Sequence, residues 1–216
     1  MVVPARNEES RLPRCLDALV TAKAAFKERH PEGPAVRIIV VVDLSTDRTL
    51  HVAEQWPGIE TVLSACGRVG AARAAGVDHL LASEAHRHWP SSVWIACTDT
   101  DSAVPGDWLV HHLQTARCGA QMILGDGHPH IHGANLGVRG DIYRAAGGFD
   151  DAAVDEDVLL VHAVRAAGGV VVSGGASPVL TSARTEGRAA GGIAHYLRAL
   201  HQHRNGIGDQ FPGWAG

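Results

Sequence analysis

Two aspartates one residue apart, Asp99 and Asp101, follow a short apolar run at residues 93–97. The run lacks helical spacing, which indicates a buried strand covered on both faces. Residues i and i+2 of a strand face the same side, so the carboxylates converge if the backbone stays extended as far as Asp101. Carboxylates that converge repel each other unless a cation lies between them, and a hard divalent ion is the usual one. A capped turn is the alternative, because Asp, Thr and Ser are common loop residues and Pro105 follows.

A second set of acids, within residues 150–157, ends in Asp155, Glu156 and Asp157. An apolar pattern of helical spacing follows, so these carboxylates can simply face the positive end of a helix dipole. A carboxylate in such a position can also act as a general base. The residues alone leave both roles open.

Three histidines alternate within a glycine-bracketed loop: His128, His130 and His132. A strand would present all three on one face, as a metal site requires. No cysteine or further carboxylate of ligand spacing accompanies them, so a structural role stays open.

The elements that position these residues can be read from the apolar pattern. Strands are predicted at residues 1–3 (ended by Pro4), 36–42, 59–63, 93–97, 121–125, 136–138 and 170–172. The first helix is predicted to run from Ser10, its N-cap, to Arg29, and a second helix is predicted to end at about Trp56. Further helices are predicted at residues 69–81, 108–116, 139–146, 158–167 and 193–203. Alternating strands and helices predict an α/β fold, with a Rossmann-like, mostly parallel sheet flanked by helices. The glycines at residues 67–70 could seat a phosphate at a helix N-terminus, but they do not form G-x-G-x-x-G, which disfavours a dinucleotide fold.

Length and composition limit the function classes. The 216 residues predict a single domain. A net charge of −4 gives no reason to expect nucleic acid as a partner. Four widely spread cysteines favour a reduced, cytoplasmic setting, and no apolar run reaches the roughly 18 residues of a membrane span. The chain begins almost inside its first strand, so a native start upstream of Met1 stays open.

Seven short motifs occur in a fixed order along residues 3–157. They are Val3-Pro4-Ala5-Arg6-Asn7-Glu8-Glu9, Val42-Asp43-Leu44-Ser45-Thr46-Asp47-Arg48-Thr49, Gly70-Ala71-Ala72-Arg73-Ala74-Ala75-Gly76, Thr98-Asp99-Thr100-Asp101, Gly133-Ala134-Asn135-Leu136-Gly137-Val138-Arg139, Gly147-Gly148-Phe149 and Glu156-Asp157. In this order they resemble the family 2 glycosyltransferases of the GT-A fold. The resemblance thins beyond Gly169.

The resemblance implies a site for a nucleotide diphosphate sugar, a UDP-sugar or a GDP-sugar, in the N-terminal half of the sheet. It implies one GT-A domain over residues 1–216, with a nucleotide-sugar-binding half at about 1–101 and an acceptor-binding and catalytic half at about 102–216. The residues that it assigns to donor binding are Pro4, Arg6, Glu8, Asp43, Arg73 and Asp99. It assigns a divalent metal ion, Mg²⁺ or Mn²⁺, to Asp101 and Asp99. The sequence departs from the family at Val42, where an acid usually precedes Asp43, and at Leu44, where Gly or Asn is common.

The resemblance also implies an inverting mechanism in which Asp157 is the general base for an acceptor hydroxyl. The residues assigned to the acceptor or phosphate side are His132, Asn135, Glu156, Arg184 and Arg188. The loop at residues 182–192 is a candidate lid, with a solvated linker as the alternative. His195 is a candidate extra metal ligand, with an ordinary surface position as the alternative.

Other functions stay open at this point. A nucleotidyltransferase shares the doubly wound sheet and a metal-bound nucleotide, but its usual Gly-rich loop with Arg and Lys after the first strand is absent. A retaining glycosyltransferase is an alternative closer to the family 2 resemblance than the nucleotidyltransferase is. A binding or assembly subunit is the non-enzymatic alternative. The acceptor is undetermined, and both a homodimer and peripheral contact with a membrane are compatible with the sequence.

Overall fold

The computed structural model describes residues 1–82, 90–125, 133–152, 154–174 and 177–181. Its strands are β1 (Val2–Ala5), β2 (Ile38–Asp43), β3 (Ile59–Ser64), β4 (Trp94–Cys97), β5 (Ser102–Ala103), β6 (Met122–Gly125), β7 (Leu136–Arg139), β8 (Val171–Gly174) and β9 (Leu180–Thr181). Its α-helices are α1 (Leu12–Arg29), α2 (Thr49–Glu54), α3 (Val69–Leu81), α4 (Trp108–Arg117), α5 (Gly140–Ala145) and α6 (Glu156–Ala166). The helix predicted at residues 193–203 lies outside the described residues.

Seven of these strands form one sheet in the order β3-β2-β1-β4-β7-β6-β8. Strands β1 to β4 pair with one another in parallel, whereas β7 is antiparallel to both β4 and β6. Strand β8 pairs with β6 in parallel. The prediction of a mostly parallel sheet is confirmed. Strands β5 and β9 form a separate antiparallel pair.

Apolar side chains cover both faces of the sheet. Neighbouring residues of a strand face opposite sides, so Val2 joins the layer that contains residues of α3, α5 and α6, and Val3 joins the layer of α1, α2 and α4. All six residues of β2 are buried for the same reason. This double cover explains why the central strands read as continuous apolar runs. Among the described residues, no helix is long and apolar enough to cross a membrane.

Pro4 lies within β1 and does not end it, contrary to the prediction. It is in register with Val41 of β2. The carbonyl of Val2 accepts a hydrogen bond from the N–H of Thr98 at 3.3 Å, so the backbone of Pro4, two residues later, faces the same neighbour. Strand β4 has already ended there, at Cys97. Because β4 offers no acceptor at this position, the sheet loses no hydrogen bond through the missing N–H of the proline.

The backbone does not stay extended as far as Asp101, so the condition under which strand geometry would make the two carboxylates converge is not met. The N–H of Ser102 donates to the carbonyl of Asp99 at 3.0 Å, which closes a turn around both aspartates. Strand geometry is therefore not what positions the two carboxylates relative to each other.

The predicted N-cap of the first helix is wrong as well. Helix α1 begins at Leu12, and no side chain caps it, so Ser10 does not have this role. The carbonyl of Glu8 accepts the N–H groups of Arg11 and Leu12 at 3.0 and 2.9 Å. A backbone carbonyl that accepts both groups starts the helix. The other helices begin or end within a few residues of the prediction.

Candidate functional site

The loops that follow β1 and β2 hold each other in place at the carboxyl edge of the sheet. Three consecutive backbone N–H groups of the first loop donate to side chains of the second: Asn7 to Ser45 at 3.1 Å, Glu8 to Thr49 at 2.8 Å and Glu9 to Asp47 at 3.1 Å. The N–H of Thr46 donates in return to the side-chain oxygen of Asn7 at 2.7 Å. These reciprocal bonds explain why both loops are rich in short polar residues.

Asp43, at the end of β2, is 4% exposed. Its Oδ1 accepts hydrogen bonds from the backbone N–H groups of Cys66 and Gly67, at 2.9 and 3.1 Å. Nη1 of Arg6 donates to the carbonyl of Gly67 at 3.3 Å. The structure thus brings two of the predicted donor-binding residues, Arg6 and Asp43, to one glycine.

Pro4 and Glu8 lie two residues before and two residues after Arg6 in the chain. Pro4 is in β1, and Glu8 is buried, with its Oε2 accepting Nη1 of Arg11 at 3.2 Å. The assignment of all four residues to donor binding stays a prediction.

Asp99 and Asp101 lie near Cys15, in the N-terminal half of α1. The thiol of Cys15 donates to the carbonyl of Asp99 at 3.4 Å. Burial, together with the negative charges of Asp99 and Asp101, raises the pKa of this thiol to about 12. Both carboxylates therefore act on the same buried group. No pattern in the sequence indicates a role for Cys15, whose position near Asp99 is evident only in the folded chain.

Arg73 of α3 is 2% exposed and links two acids that are far apart in sequence. Nη2 donates to Oδ1 of Asp99 at 2.6 Å, and Nη1 donates to the carboxylate of Glu156. Burial alone would lower the pKa of Arg73, but the charges of Asp99 and Glu156, with a smaller contribution from Asp157, raise it above its ordinary value. Arg73 is therefore a permanent cation between the end of β4 and the start of α6. Its guanidinium carbon also lies 5.8 Å from the ring centroid of Phe149.

The first turn of α3 holds the chain that leads into α6. A Cβ placed on Gly70 would lie 2.5 Å from the carbonyl oxygen of Asp150 and 2.8 Å from Cβ of Glu156. Only a glycine allows this approach. Nη1 of Arg68 donates to Oδ2 of Asp151 at 2.6 Å, close to the same contact. The Gly-Arg pattern around residue 70 therefore positions the acidic segment at residues 150–157.

Asp157 is in the first turn of α6 and is partly buried. Its Oδ1 accepts the backbone N–H of Val158 at 2.8 Å. The negative charges of Asp157 and Asp99 both raise the pKa of Arg73, so the predicted base and the predicted donor-side acid interact electrostatically with the same cation. The helix begins earlier than predicted because Asp155, at φ 62°, turns the chain directly into Glu156.

Asn135 precedes β7 and is bonded on both sides of its amide. Its Oδ1 accepts Nε1 of Trp108 at 2.8 Å, and its Nδ2 donates to the carbonyl of Ser177 at 3.2 Å. The structure thus ties Asn135 to α4 and to residue 177. Its predicted position on the acceptor side stays a prediction.

A family model described as "Glycosyl transferase family 2" matches residues 1–157. The chain belongs to glycosyl transferase family 2. The resemblance deduced from the seven motifs is confirmed, and membership in this family favours a glycosyltransferase over the nucleotidyltransferase alternative. A comparison with the curated proteins finds no match.

Solved structures show the same fold for this family 2 chain. A mannosyltransferase from Pyrobaculum calidifontis, in complex with GDP-Man and Mn²⁺, has a TM-score of 0.65 at 18% identity. The alignment covers 100% of this chain and 64% of the mannosyltransferase, so the chain spans less than two thirds of its length. Glucosyl-3-phosphoglycerate synthase from Mycobacterium tuberculosis has a TM-score of 0.58 at 18% identity, with 100% of this chain and 83% of the synthase covered. The predicted GT-A fold is confirmed.

A buried histidine supports this family 2 fold from beneath β7. His112 of α4 is 2% exposed, and its Nδ1 accepts Nε1 of Trp94 at 2.9 Å. A Cβ placed on Gly137 would lie 2.5 Å from Nδ1 of His112 and 2.8 Å from Nε1 of Trp94, so only a glycine leaves room for the pair. Burial lowers the pKa of His112 to about 3. His112 was not among the predicted residues, although its place inside the apolar pattern of α4 could have indicated a buried histidine.

Acidification is expected to destabilise the protein through His112. The unfolded chain takes up a proton on this residue near pH 6.5, whereas burial lowers the pKa in the folded chain to about 3. The stabilisation is therefore complete above pH 6.5 and is lost as the pH falls from 6.5 to about 3. Between pH 7 and pH 5, His112 should lower the free energy of unfolding by about 2 kcal/mol, measured by urea denaturation.

His112→Phe tests this expectation because the new ring cannot titrate. The variant should be less stable at pH 7 by about 1–3 kcal/mol, since Trp94 loses its acceptor, but its loss between pH 7 and pH 5 should be smaller by about 2 kcal/mol. His51→Gln, at an exposed position of α2, is the control and should keep the wild-type pH dependence. An unchanged pH dependence in His112→Phe would contradict the assignment.

Several predicted site residues of this family 2 chain lie outside the described residues. They are His128, His130, His132, Arg184, Arg188 and His195. The candidate lid at residues 182–192 also lies there. Their roles stay predictions.

Proposed function

We propose that this chain transfers a sugar from a nucleoside diphosphate sugar to an acceptor hydroxyl with inversion, using Asp157 as general base. The observation that carries the proposal is the ion-pair bridge through Arg73, which joins Asp99 to Glu156. Asp157 adjoins the bridge and Asp101 lies close to Asp99. The bridge therefore supports a site in which the donor and the base are held on one framework.

The donor is a UDP-sugar or a GDP-sugar. The mannosyltransferase structure contains GDP-Man with Mn²⁺, and synthase structures contain UDP with Mg²⁺ or UDP-glucose with Mn²⁺. In this chain, Arg6 and Asp43 converge on Gly67, where their charge and hydrogen-bonding groups suit a ribose and a base. The loops after β1 and β2 are interlocked, so such a pocket is largely formed before the donor binds.

The acids at the end of β4 fit a divalent metal ion. Among the residues that the structure describes, no group of three or more His, Cys, Asp or Glu side chains could hold a metal. Asp99 and Asp101 provide two carboxylates, which suits Mg²⁺ or Mn²⁺ with ligands completed by water and donor phosphates. We assign the stronger ligand role to Asp101 and a donor-side role to Asp99, whose Oδ1 accepts Nη2 of Arg73. When bound, the ion would neutralise the charge on the leaving diphosphate.

Proton transfer is the role that we assign to Asp157. As the acceptor oxygen attacks C1 of the sugar, the bond between C1 and the phosphate oxygen breaks, and the hydroxyl proton passes to the Asp157 carboxylate. Glu156 is held by Arg73, so it is the member of the acidic pair that we assign to positioning. Attack from the face opposite the diphosphate inverts the configuration at C1.

A panel of sugar nucleotides tests this function. The protein is incubated with UDP-sugars and GDP-sugars, Mn²⁺ or Mg²⁺, and a set of acceptors that includes phosphoglyceric acid, which is present in synthase structures. Release of UDP or GDP together with a glycosylated product is the expected result, and NMR should show the inverted anomer. Retention of configuration would overturn the role of Asp157. Pyrophosphate release from a nucleoside triphosphate would favour a nucleotidyltransferase, and binding without turnover would favour a non-enzymatic role.

Asp101→Ala is expected to remove the metal-dependent part of donor binding. A carboxylate that engages a cation contributes about 1.5–3 kcal/mol, so the Kd for UDP or GDP in Mn²⁺ should rise about ten- to hundredfold. Calorimetric titration with and without Mn²⁺ measures the difference. Asp78→Ala, on the exposed side of α3, is the control and should bind as the wild type does. A variant that still binds more tightly when Mn²⁺ is added would contradict the ligand role of Asp101.

A further inference from the structure

Leu44, the first residue after β2, adopts a backbone conformation that its side chain disfavours. Its φ is 47°, in the left-handed region. Among the described residues other than glycine, Asn7 and Asp155 also have positive φ, and their short polar side chains tolerate it. A branched apolar side chain has no such compensation, so this conformation costs free energy.

The described residues do not bury the side chain of Leu44, so burial does not offset the free-energy cost of its backbone conformation. Leu44 is 46% exposed, which is unusual for a leucine held in a strained conformation. Its N–H donates to the carbonyl of Ser64 at 3.1 Å, which fixes the backbone. An exposed leucine alone means little, but strain that the surrounding structure maintains is found mainly where a ligand is bound.

Leu44 lies at the place where the predicted donor-binding residues converge. A Cβ placed on Gly67 would lie 3.4 Å from Cδ1 of Leu44 and 3.9 Å from Nη1 of Arg6. Asp43 accepts the N–H of the same glycine, and Arg6 donates to its carbonyl. One cation, one carboxylate and one exposed apolar side chain thus surround Gly67. A planar heterocycle on a sugar needs this combination, because its edge is polar and its faces are apolar.

We propose that the side chain of Leu44 forms the apolar wall against one face of the donor's nucleobase. The inference rests on the proposed function, which supplies the base-bearing donor. The left-handed backbone turns the side chain of Leu44 toward Gly67, and the base buries the surface that is exposed in the ligand-free chain. Glycine at this position would relieve the strain but leave the base without its wall.

Two substitutions separate the side chain from the backbone. Leu44→Ala keeps a Cβ in the left-handed region and removes the wall, whereas Leu44→Gly removes both the wall and the strain. Both variants should bind UDP or GDP about tenfold more weakly than the wild type, measured by calorimetric titration in Mn²⁺. In the ligand-free protein, the Tm of Leu44→Gly should exceed that of Leu44→Ala by about 2–4 °C.

Leu63→Ala is the matched control, because Leu63 is an exposed leucine at the end of β3 without a positive φ. Its affinity for UDP and GDP should stay within about twofold of the wild type. Wild-type affinity in both Leu44 variants would overturn the inference while leaving the proposed function intact. A large fall in ligand-free Tm in both variants would also overturn it, because Leu44 would then pack against the protein itself. If the wild type binds neither UDP nor GDP, the proposed function fails, and this inference fails with it.

Discussion

Asp157→Asn is expected to reduce kcat by about 10²–10⁴-fold while leaving the affinity for UDP or GDP within about twofold of the wild type. Asparagine keeps the size of the side chain and its bond from the N–H of Val158, but it cannot take the proton of the acceptor hydroxyl. The loss should therefore fall on turnover and not on donor binding. Product formation under saturating donor gives kcat, and calorimetric titration gives the nucleotide affinity.

Asp78→Asn makes the same chemical change at an exposed position of α3 and should leave both quantities unchanged. Asp157→Asn and Asp101→Ala together test the division of roles between base and metal ligand. If both variants lost donor affinity equally, Asp157 would belong to the donor site and the assignment of the base would be wrong.

The strands and helices were predictable where a single physical pattern decides them. Strand β2 is buried on both faces, so its β-branched run could be recognised without knowledge of its neighbours. Pro4 shows the limit of such local patterns. The backbone nitrogen of Pro4 faces β4, which ends too early to pair with it. Whether a proline is tolerated in β1 therefore depends on the length of β4, not on the sequence around Pro4. The antiparallel direction of β7 likewise follows from how the chain returns to the sheet.

The site was predictable in its residue types but not in its connections. Asp99 and Asp101 could be selected because they follow a buried strand, whereas Asp157 was selected only through the family resemblance, since acids at a helix start also suit the helix dipole. The bridge through Arg73 spans 26 residues to Asp99 and 83 to Glu156, and no local pattern reports pairings at such distances. Cys15 was missed for the same reason, since its contact with Asp99 spans 84 residues.

Arg73→Met is expected to lower the free energy of unfolding by about 3–5 kcal/mol. Methionine replaces most of the buried stem, but it leaves Glu156 buried and without its cation, and Asp99 loses the same partner. An uncompensated buried carboxylate is more costly than the ion pair is favourable. The loss should also weaken catalysis, because the start of α6 carries Asp157. Urea denaturation at pH 7 measures the stability, and product formation measures the activity.

A double-mutant cycle separates the ion pair from the packing of Arg73. Adding Glu156→Gln to Arg73→Met removes the uncompensated charge, so the double variant should be more stable than Arg73→Met alone by at least about 1 kcal/mol. Arg68→Met breaks the exposed pair with Asp151 and should cost about 1 kcal/mol or less. Additive effects of the two buried substitutions would show that Arg73 and Glu156 act independently. Because the bridge joins the start of the helix that carries the proposed base to the proposed donor-side acid, additivity would remove the main structural support for a shared site.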